Sequence, residues 1–346
     1  MNNEWKEFLV STGARLDADG ASVTDFGDAQ RERTQAVAGT VLCDLSHLGL
    51  IAVRGADTQS FLQSQLTNDA REVSASRSQL SGYCTAKGRL LALFRIFMRG
   101  DATYLQLPQE LLEPTLKRLR MFVLRAKVTL DDASPALIRI GYSGPDAEQR
   151  VRTALGSAPQ AVNDVVEASD VTVLRLPGAM PRFELIGDLA RLRTLWTQLA
   201  TQAMPVGAAA WSLLDIRAGV PEVLKTSVEE FIPQMVNLPA LGAVNFKKGC
   251  YPGQEIVARM QYLGTLKRRM YLAHVDATEP PAPATPLYEA GAESAQGHIV
   301  HAQRAPQGGC NALAVVVIAA AERGALHLGT PDGPSLKFED LPYQLE

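Results

Sequence analysis

Residues 245–259 read Asn245-Phe-Lys-Lys-Gly-Cys-Tyr-Pro-Gly-Gln-Glu-Ile-Val-Ala-Arg259, and they mark a change of architecture. Before them the chain alternates strand and helix patterns. After Thr265 it consists of short apolar segments, separated by turns such as Pro280-Pro-Ala-Pro283 and Pro331-Asp-Gly-Pro334. Regularly spaced short strands predict a small β-barrel or sandwich. Within the stretch, Gly249 and Gly253 bracket Cys250 and permit backbone geometries closed to other residues. Gln254 to Met260 reads as helix, so Cys250 stands just ahead of a helix N-terminus, with Lys247 and Lys248 before it. Both features favour a thiolate. The residues alone leave two readings open, a reactive or ligating cysteine and a small buried hydrophobe.

Working towards the N-terminus, Leu48 to Arg54 reads as a strand and Asp57 as the N-cap of a helix through Leu66. Strands follow near Leu80 to Thr85, Leu90 to Met98 and Thr103 to Leu107, with a turn at Lys87-Gly88. A helix over Gln109 to Phe122 places Leu111, Leu112, Leu116, Leu119 and Phe122 near one face, and a strand at Lys127 to Leu130 closes the unit. This order is a ferredoxin-like split βαβ with one added strand. A related order recurs: a strand at Ala136 to Tyr142, a helix to Leu155, strands at Val171 to Leu176 and Arg182 to Leu185, and a helix at Leu189 to Ala203. A last helix, Ala208 to Ala218, stops at Gly219. The first 40 residues read as a short helix, Glu4 to Val10, and a polar stretch. The predicted architecture is α+β, with lobes over 1–135 and 136–245 that are free to exchange strands, and a β-barrel over 246–346.

Composition narrows the function. The 346 residues carry 34 Lys+Arg against 37 Asp+Glu and are 46% apolar, which is globular and sufficient for two or three domains. The longest apolar run, Ala312 to Ala321, is too short for a membrane helix and reads as a buried strand. The N-terminal twenty residues lack a basic start and an apolar core, so a cytoplasmic protein without membrane contact is expected. Cys43, Cys84, Cys250 and Cys310 form no C-x-x-C pair, which points to chemistry at a single thiol. His298 and His301 read as half a metal site or as two solvent-facing imidazoles; no metal site is expected. Phosphate loops, dinucleotide fingerprints, nucleophile elbows and HExxH are all absent from the sequence. Trp211 either stacks on a heteroaromatic ligand or packs in the core. Between Lys247 and Arg269 six basic residues face Glu255 alone, a local +5 within a chain of net −3. Such a patch suits carboxylates of a small molecule, an RNA backbone, or plain solvation.

Lys248-Gly-Cys-Tyr-Pro-Gly-Gln-Glu255 resembles the K-G-C-Y-x-G-Q-E signature of the folate-binding YgfZ family, which comprises tRNA-modification and iron–sulfur maintenance proteins. Four other stretches carry the same resemblance: Gln65-Leu-Thr-Asn-Asp69, Tyr83-Cys-Thr-Ala-Lys-Gly-Arg89, Phe231-Ile-Pro-Gln234 with Asn237-Leu238, and Leu341-Pro-Tyr343. The resemblance covers residue 45 to the C-terminus. It implies a three-domain cloverleaf like the aminomethyltransferase T-protein, two α/β lobes and a barrel around a central channel for tetrahydrofolate or a derivative. It also implies Cys250 as the functional thiol and transient cluster ligand, Lys248 as a source of positive potential, Tyr251 as part of the signature, and Gln254 and Glu255 as loop-orienting groups. Leu48, Trp211, Arg217, Gly249 and Gly253 are implied as folate-binding positions. Leu48 stands where Trp is frequent, and Arg217 where several relatives carry Glu; a guanidinium accepts no hydrogen bond from a pteridine. The strand at Leu90 to Phe94 lacks the catalytic carboxylates of the T-protein, which argues against glycine-cleavage activity.

The function so implied is an accessory role in iron–sulfur cluster assembly or repair. Iron–sulfur enzymes or cluster carriers would be the partners, and tRNA thiolation would be supported without direct tRNA contact. The alternatives are a folate-dependent one-carbon transferase or demethylase, and a direct RNA-binding factor.

Overall fold

The computed structural model describes residues 1–345. These divide into two compact units. One comprises Met1–Thr58, Arg71–Gln79 and Arg95–Leu214; the other comprises Gln59–Ala70, Leu80–Phe94 and the chain from Asp215 onward.

The first unit contains a six-stranded sheet in the order Val165–Ala168, Val171–Leu176, Arg182–Gly187, Ile138–Ser143, Val41–Asp44, Met204–Val206. All its pairings are antiparallel except Val41–Asp44 with Met204–Val206, which run parallel. The strand Val41–Asp44 therefore lies in the sheet of the second lobe, although its sequence precedes the first. Helices Ala147–Leu155 and Leu189–Leu199 supply Val151, Leu155, Leu192, Leu195, Trp196 and Leu199 to the core beside it, together with Trp5 and Leu9 of the N-terminal helix. Asp44 anchors this arrangement. Its buried carboxylate accepts hydrogen bonds from Trp5 Nε1 (2.7 Å) and Ser46 Oγ (2.8 Å). Burial pushes its pKa up, against those bonds and the charge of Arg139.

A second, five-stranded sheet has the order Gln79–Cys84, Leu90–Arg99, Ala102–Pro108, Leu48–Arg54, Thr129–Asp132. Its helix, Gln109–Met121, buries Leu111, Leu112, Leu116 and Leu119 as the periodicity predicts. Phe122 does not join them: it caps the helix, exposed, with the Arg118 guanidinium over its ring.

Several elements were not apparent in the sequence pattern. The polar stretch near the N-terminus contains the helix Ala29–Ala38, which Asp28 caps by accepting from Arg31 N (3.0 Å). Only Glu32 and Ala36 of this helix are buried, so it carries no apolar stripe. Glu32 accepts from Phe26 N and Gly207 N, holding the helix by hydrogen bonds to loops. Asp57, just before the helix Thr58–Gln65, accepts from Lys127 N (2.7 Å).

The second unit includes a closed six-stranded barrel, in the order Arg268–Val275, Cys310–Val317, Gly297–Arg304, Pro286–Glu289, Leu326–Leu328, Ser335–Glu339. Closure leaves no free strand edge. The apolar run at 312–321 is only partly a strand: it turns at Val317 into the helix Ile318–Arg323, which ends at the left-handed Gly324. No helix among the described residues is long and apolar enough to cross a membrane. Next to a bulge between Ile299 and His301, the His301 side chain is buried, with Nδ1 3.3 Å from Glu222 Oε2. The reading of His301 as solvent-facing is thereby corrected; His298 is half-buried.

Burial lowers the His301 pKa from 6.5 to about 4, against the pull of Asp215. A histidine with a depressed folded pKa stabilises the fold above its unfolded pKa, and the contribution is lost as pH falls through the folded value. Between pH 6.5 and 4 the barrel should therefore lose about 3 kcal/mol on this account. Urea unfolding at pH 7.5 and 4.5 should show this decline in the wild-type chain and a much flatter response in His301→Gln.

Candidate functional site

Cys250 is the only exposed thiol of the four cysteines. Its loop is held from behind by contacts within the second unit. Lys248, two residues earlier, points inward and is buried. Its ammonium donates to the carbonyl oxygens of Gln63 (2.6 Å) and Leu66 (2.5 Å), at the C-terminal end of the helix Thr58–Gln65. Those oxygens lack partners within the helix, and the helix dipole makes the position favourable for a cation. The same ammonium lies 5.1 Å from the ring centroid of Tyr251. Tyr251 is buried, and burial, with Cys84 nearby, pushes its phenol pKa well up, so it stays neutral. Cys84, also buried, has its thiol pushed up to about 12.

The other side of the loop rests on the Lys87-Gly88 hairpin. Gly253, at φ +83°, opens the helix Gln254–Tyr262. A Cβ at Gly253 would lie 2.4 Å from Thr85 O and 2.6 Å from the backbone of Gly88. Only glycine satisfies both the backbone angle and this contact. Gln254 Nε2 donates to Lys248 O (3.2 Å), tying the loop to its own helix. Glu255 stands exposed in the first turn of that helix, and Gly249 faces open space.

The remaining signature stretches support the same loop. Thr67 Oγ1 donates to Ala243 O (2.7 Å) and accepts from Gly82 N (2.7 Å). Asn68 Nδ2 donates to Leu80 O and Gly242 O. Gln234 Nε2 donates to Val257 O inside the signature helix, and Asn237 Nδ2 to Met270 O at the start of the barrel. Tyr343 donates to Gly219 O (2.8 Å), where a side chain on the glycine would collide with the phenol ring. The sequence by itself assigns these stretches no structural role; the polar side chains Thr67, Asn68, Gln234 and Asn237 within them are the signal that marks them.

The folate-contact positions fall into different surroundings. Trp211 is in the core of the first unit, 1% exposed. The Arg182 guanidinium lies 4.3 Å from its ring centroid. Gly141 approaches the ring so closely that a Cβ would meet Cη2 at 2.5 Å. A stacking ligand needs an open ring face, and this ring is enclosed by protein. Leu48 is half-buried and packs against the same core. Arg217, in the second unit, is exposed and donates to Asn311 Oδ1 (3.3 Å). Ala92 and Leu93, on the strand Leu90–Arg99, are buried and apolar. Among the described residues no group of three or more His, Cys, Asp and Glu is arranged to hold a metal ion.

Comparison with known proteins agrees with this layout. The family model of the GCVT N-terminal domain matches residues 21–239. The glycine cleavage system aminomethyltransferase T from Bartonella henselae superposes with a TM-score of 0.78 over 97% of this chain and 96% of its own, at 18% identity. The fold is thus that of the aminomethyltransferase T class. The tRNA-modifying protein YgfZ of Colwellia psychrerythraea is 34% identical over 241 residues, 70% of this chain and 74% of the relative. That of Sodalis glossinidius is 30% identical over 306 residues, 88% and 93% of the two chains. Within the fold class, the chain belongs to the YgfZ family.

Two substitutions separate support from chemistry. Lys248→Met should lower stability by about 1–3 kcal/mol, because the carbonyls of Gln63 and Leu66 lose their donor; urea unfolding measures this directly. Trp211→Ala should cost about 3–5 kcal/mol as a core truncation. Any loss of tetrahydrofolate binding in that variant should track its unfolded fraction in calorimetry, not appear in fully folded protein.

Proposed function

We propose that this protein is an accessory factor for iron–sulfur cluster assembly or repair, acting in support of tRNA-modifying enzymes, with Cys250 as its working thiol. The observation that carries this reading is that Cys250, the exposed cysteine, stands on a loop whose backbone is clamped by Lys248, Gly253 and Gln254. A thiol presented on so constrained a loop is preorganised for exchange at a partner's metal centre. The relatives' description as tRNA-modifying proteins supports the biological setting. In the step proposed, Cys250 forms an Fe–S bond in place of one cysteine thiolate of a partner-borne cluster; the Fe–S bond to that thiolate breaks, and the thiolate stays on the partner and takes up the proton that Cys250 gives up. Cys250 is displaced in turn when a thiolate of the receiving protein binds that iron. The cluster is cargo, and a single cysteine does not hold it alone.

Tetrahydrofolate, or a derivative, is proposed as a ligand on the strength of the fold class. No step is assigned to it, because Trp211 offers no open face and Arg217 has no acceptor for pteridine N–H groups. The one-carbon transferase reading gains no support from the buried apolar residues at Ala92 and Leu93.

Cys250→Ser is the direct test. Its unfolding free energy should stay within about 0.5 kcal/mol of wild type, since the site is exposed. Its support of a cluster-dependent tRNA thiolation enzyme should fall at least tenfold by order of magnitude, a drop worth about 1.4 kcal/mol or more. Full support by a folded Cys250→Ser chain refutes the thiol role.

A further inference from the structure

The helix that follows Cys250 has an unusual outer surface. Ile256 is 43% exposed, Tyr262 65% and Leu263 84%, so three of the largest exposed apolar side chains of the molecule lie on one nine-residue helix and its C-cap. Ile256 and Leu263 are seven residues apart, and Arg259 lies between them, exposed, on the same face. Ile256 packs beside Gly88, which brings the exposed Lys87 of the hairpin to the same edge. Tyr262 keeps its ring edge-on to Phe246, 6.1 Å between centroids, so its position is set by packing. Lys247 precedes Cys250, and Lys267 follows Leu263 by four residues; both are exposed.

The charges around this surface are uncompensated. Among the described residues, Lys87, Lys247, Arg259 and Lys267 have no carboxylate partner, whereas elsewhere in the second unit Arg304 pairs with Glu279 and Arg323 with Glu289. Side chains of this size are normally withdrawn from water, and each contributes roughly 1.5–3 kcal/mol when fully buried. An apolar patch rimmed by polar and charged groups is the usual composition of a protein-binding surface, and here the four cations outnumber Glu255, the one exposed carboxylate of this helix.

Resting on the function proposed above, we propose that the outer face of the helix Gln254–Tyr262, with Leu263, is the docking surface for an acidic protein that carries the iron–sulfur cluster to Cys250. The four free cations select an acidic surface and accelerate encounter with it. Ile256, Tyr262 and Leu263 then hold the complex by burial. A nucleic acid fits less well, because a phosphate backbone uses the cations and leaves Ile256 and Leu263 in water.

The test measures binding of the full chain to a purified acidic iron–sulfur carrier protein in its cluster-loaded form, by interferometry at low and moderate salt. A tRNA transcript serves as competitor. The wild-type chain should bind, more weakly as salt rises. Leu263→Asp, and separately the double variant Arg259→Glu with Lys267→Glu, should each raise Kd at least tenfold while keeping the wild-type circular dichroism and unfolding midpoint. If Cys250→Ser delivers the cluster normally while Leu263→Asp does not, the thiol role falls and the docking surface stands. The proposal is overturned if the wild-type chain does not bind the carrier, or if the Leu263 and charge-reversal variants bind it as tightly as wild type. It is equally overturned if tRNA binding depends on the cations, is indifferent to Leu263→Asp, and displaces the carrier.

Discussion

The ammonium of Lys248, seated on the carbonyl oxygens of Gln63 and Leu66, is the interaction on which the rest of the site depends. It joins a loop after residue 245 to a helix nearly 190 residues earlier in the chain. A buried lysine is tolerated only where its charge is met, and here the carboxyl end of a helix meets it with oxygens that would otherwise lack donors. The aromatic face of Tyr251 covers the ammonium further. With Lys248 drawn inward, the chain must turn before it enters the next helix, and Cys250 sits on the outside of that turn.

Gly253 completes the turn from the other side. Its left-handed backbone lets the helix Gln254–Tyr262 start flush against the Thr85–Gly88 hairpin, at a separation no Cβ would permit. The two glycine-containing stretches, far apart in sequence, are therefore one packed object. The hydrogen bonds of Thr67, Asn68, Gln234 and Asn237 extend this object towards the barrel. Lys248, Tyr251, Gly253 and Gln254 are used to hold the loop, and Cys250 is left exposed on it.

Much of the fold was legible in the chain itself. Strands such as Val171–Leu176 and the helix Gln109–Met121 follow from their hydrophobic periods, because they bury one face against a sheet. The elements that periodicity missed are those held by other means. Ala29–Ala38 is polar and fastened by Glu32, and Met204–Val206 is three residues long and owes its strand conformation to a parallel neighbour. Trp211 shows the same limit at the site. Its identity was compatible with ligand stacking and with core packing, and the choice rested on Gly141 and Arg182, which are distant in sequence.

The sequence by itself determined the family, the barrel after the signature stretch, and Cys250 as the thiol to examine, because those depend on local pattern and on residue identity. Only the tertiary structure decided that neighbouring lysines would part company, Lys248 going to a buried helix terminus and Lys247 to the surface. It likewise decided that His301 would be neutral and buried, and that Trp211 would be core. In each case the outcome depends on whether a polar or aromatic group is met by partners or by water. Those partners come from segments tens to hundreds of residues away, which local sequence does not specify.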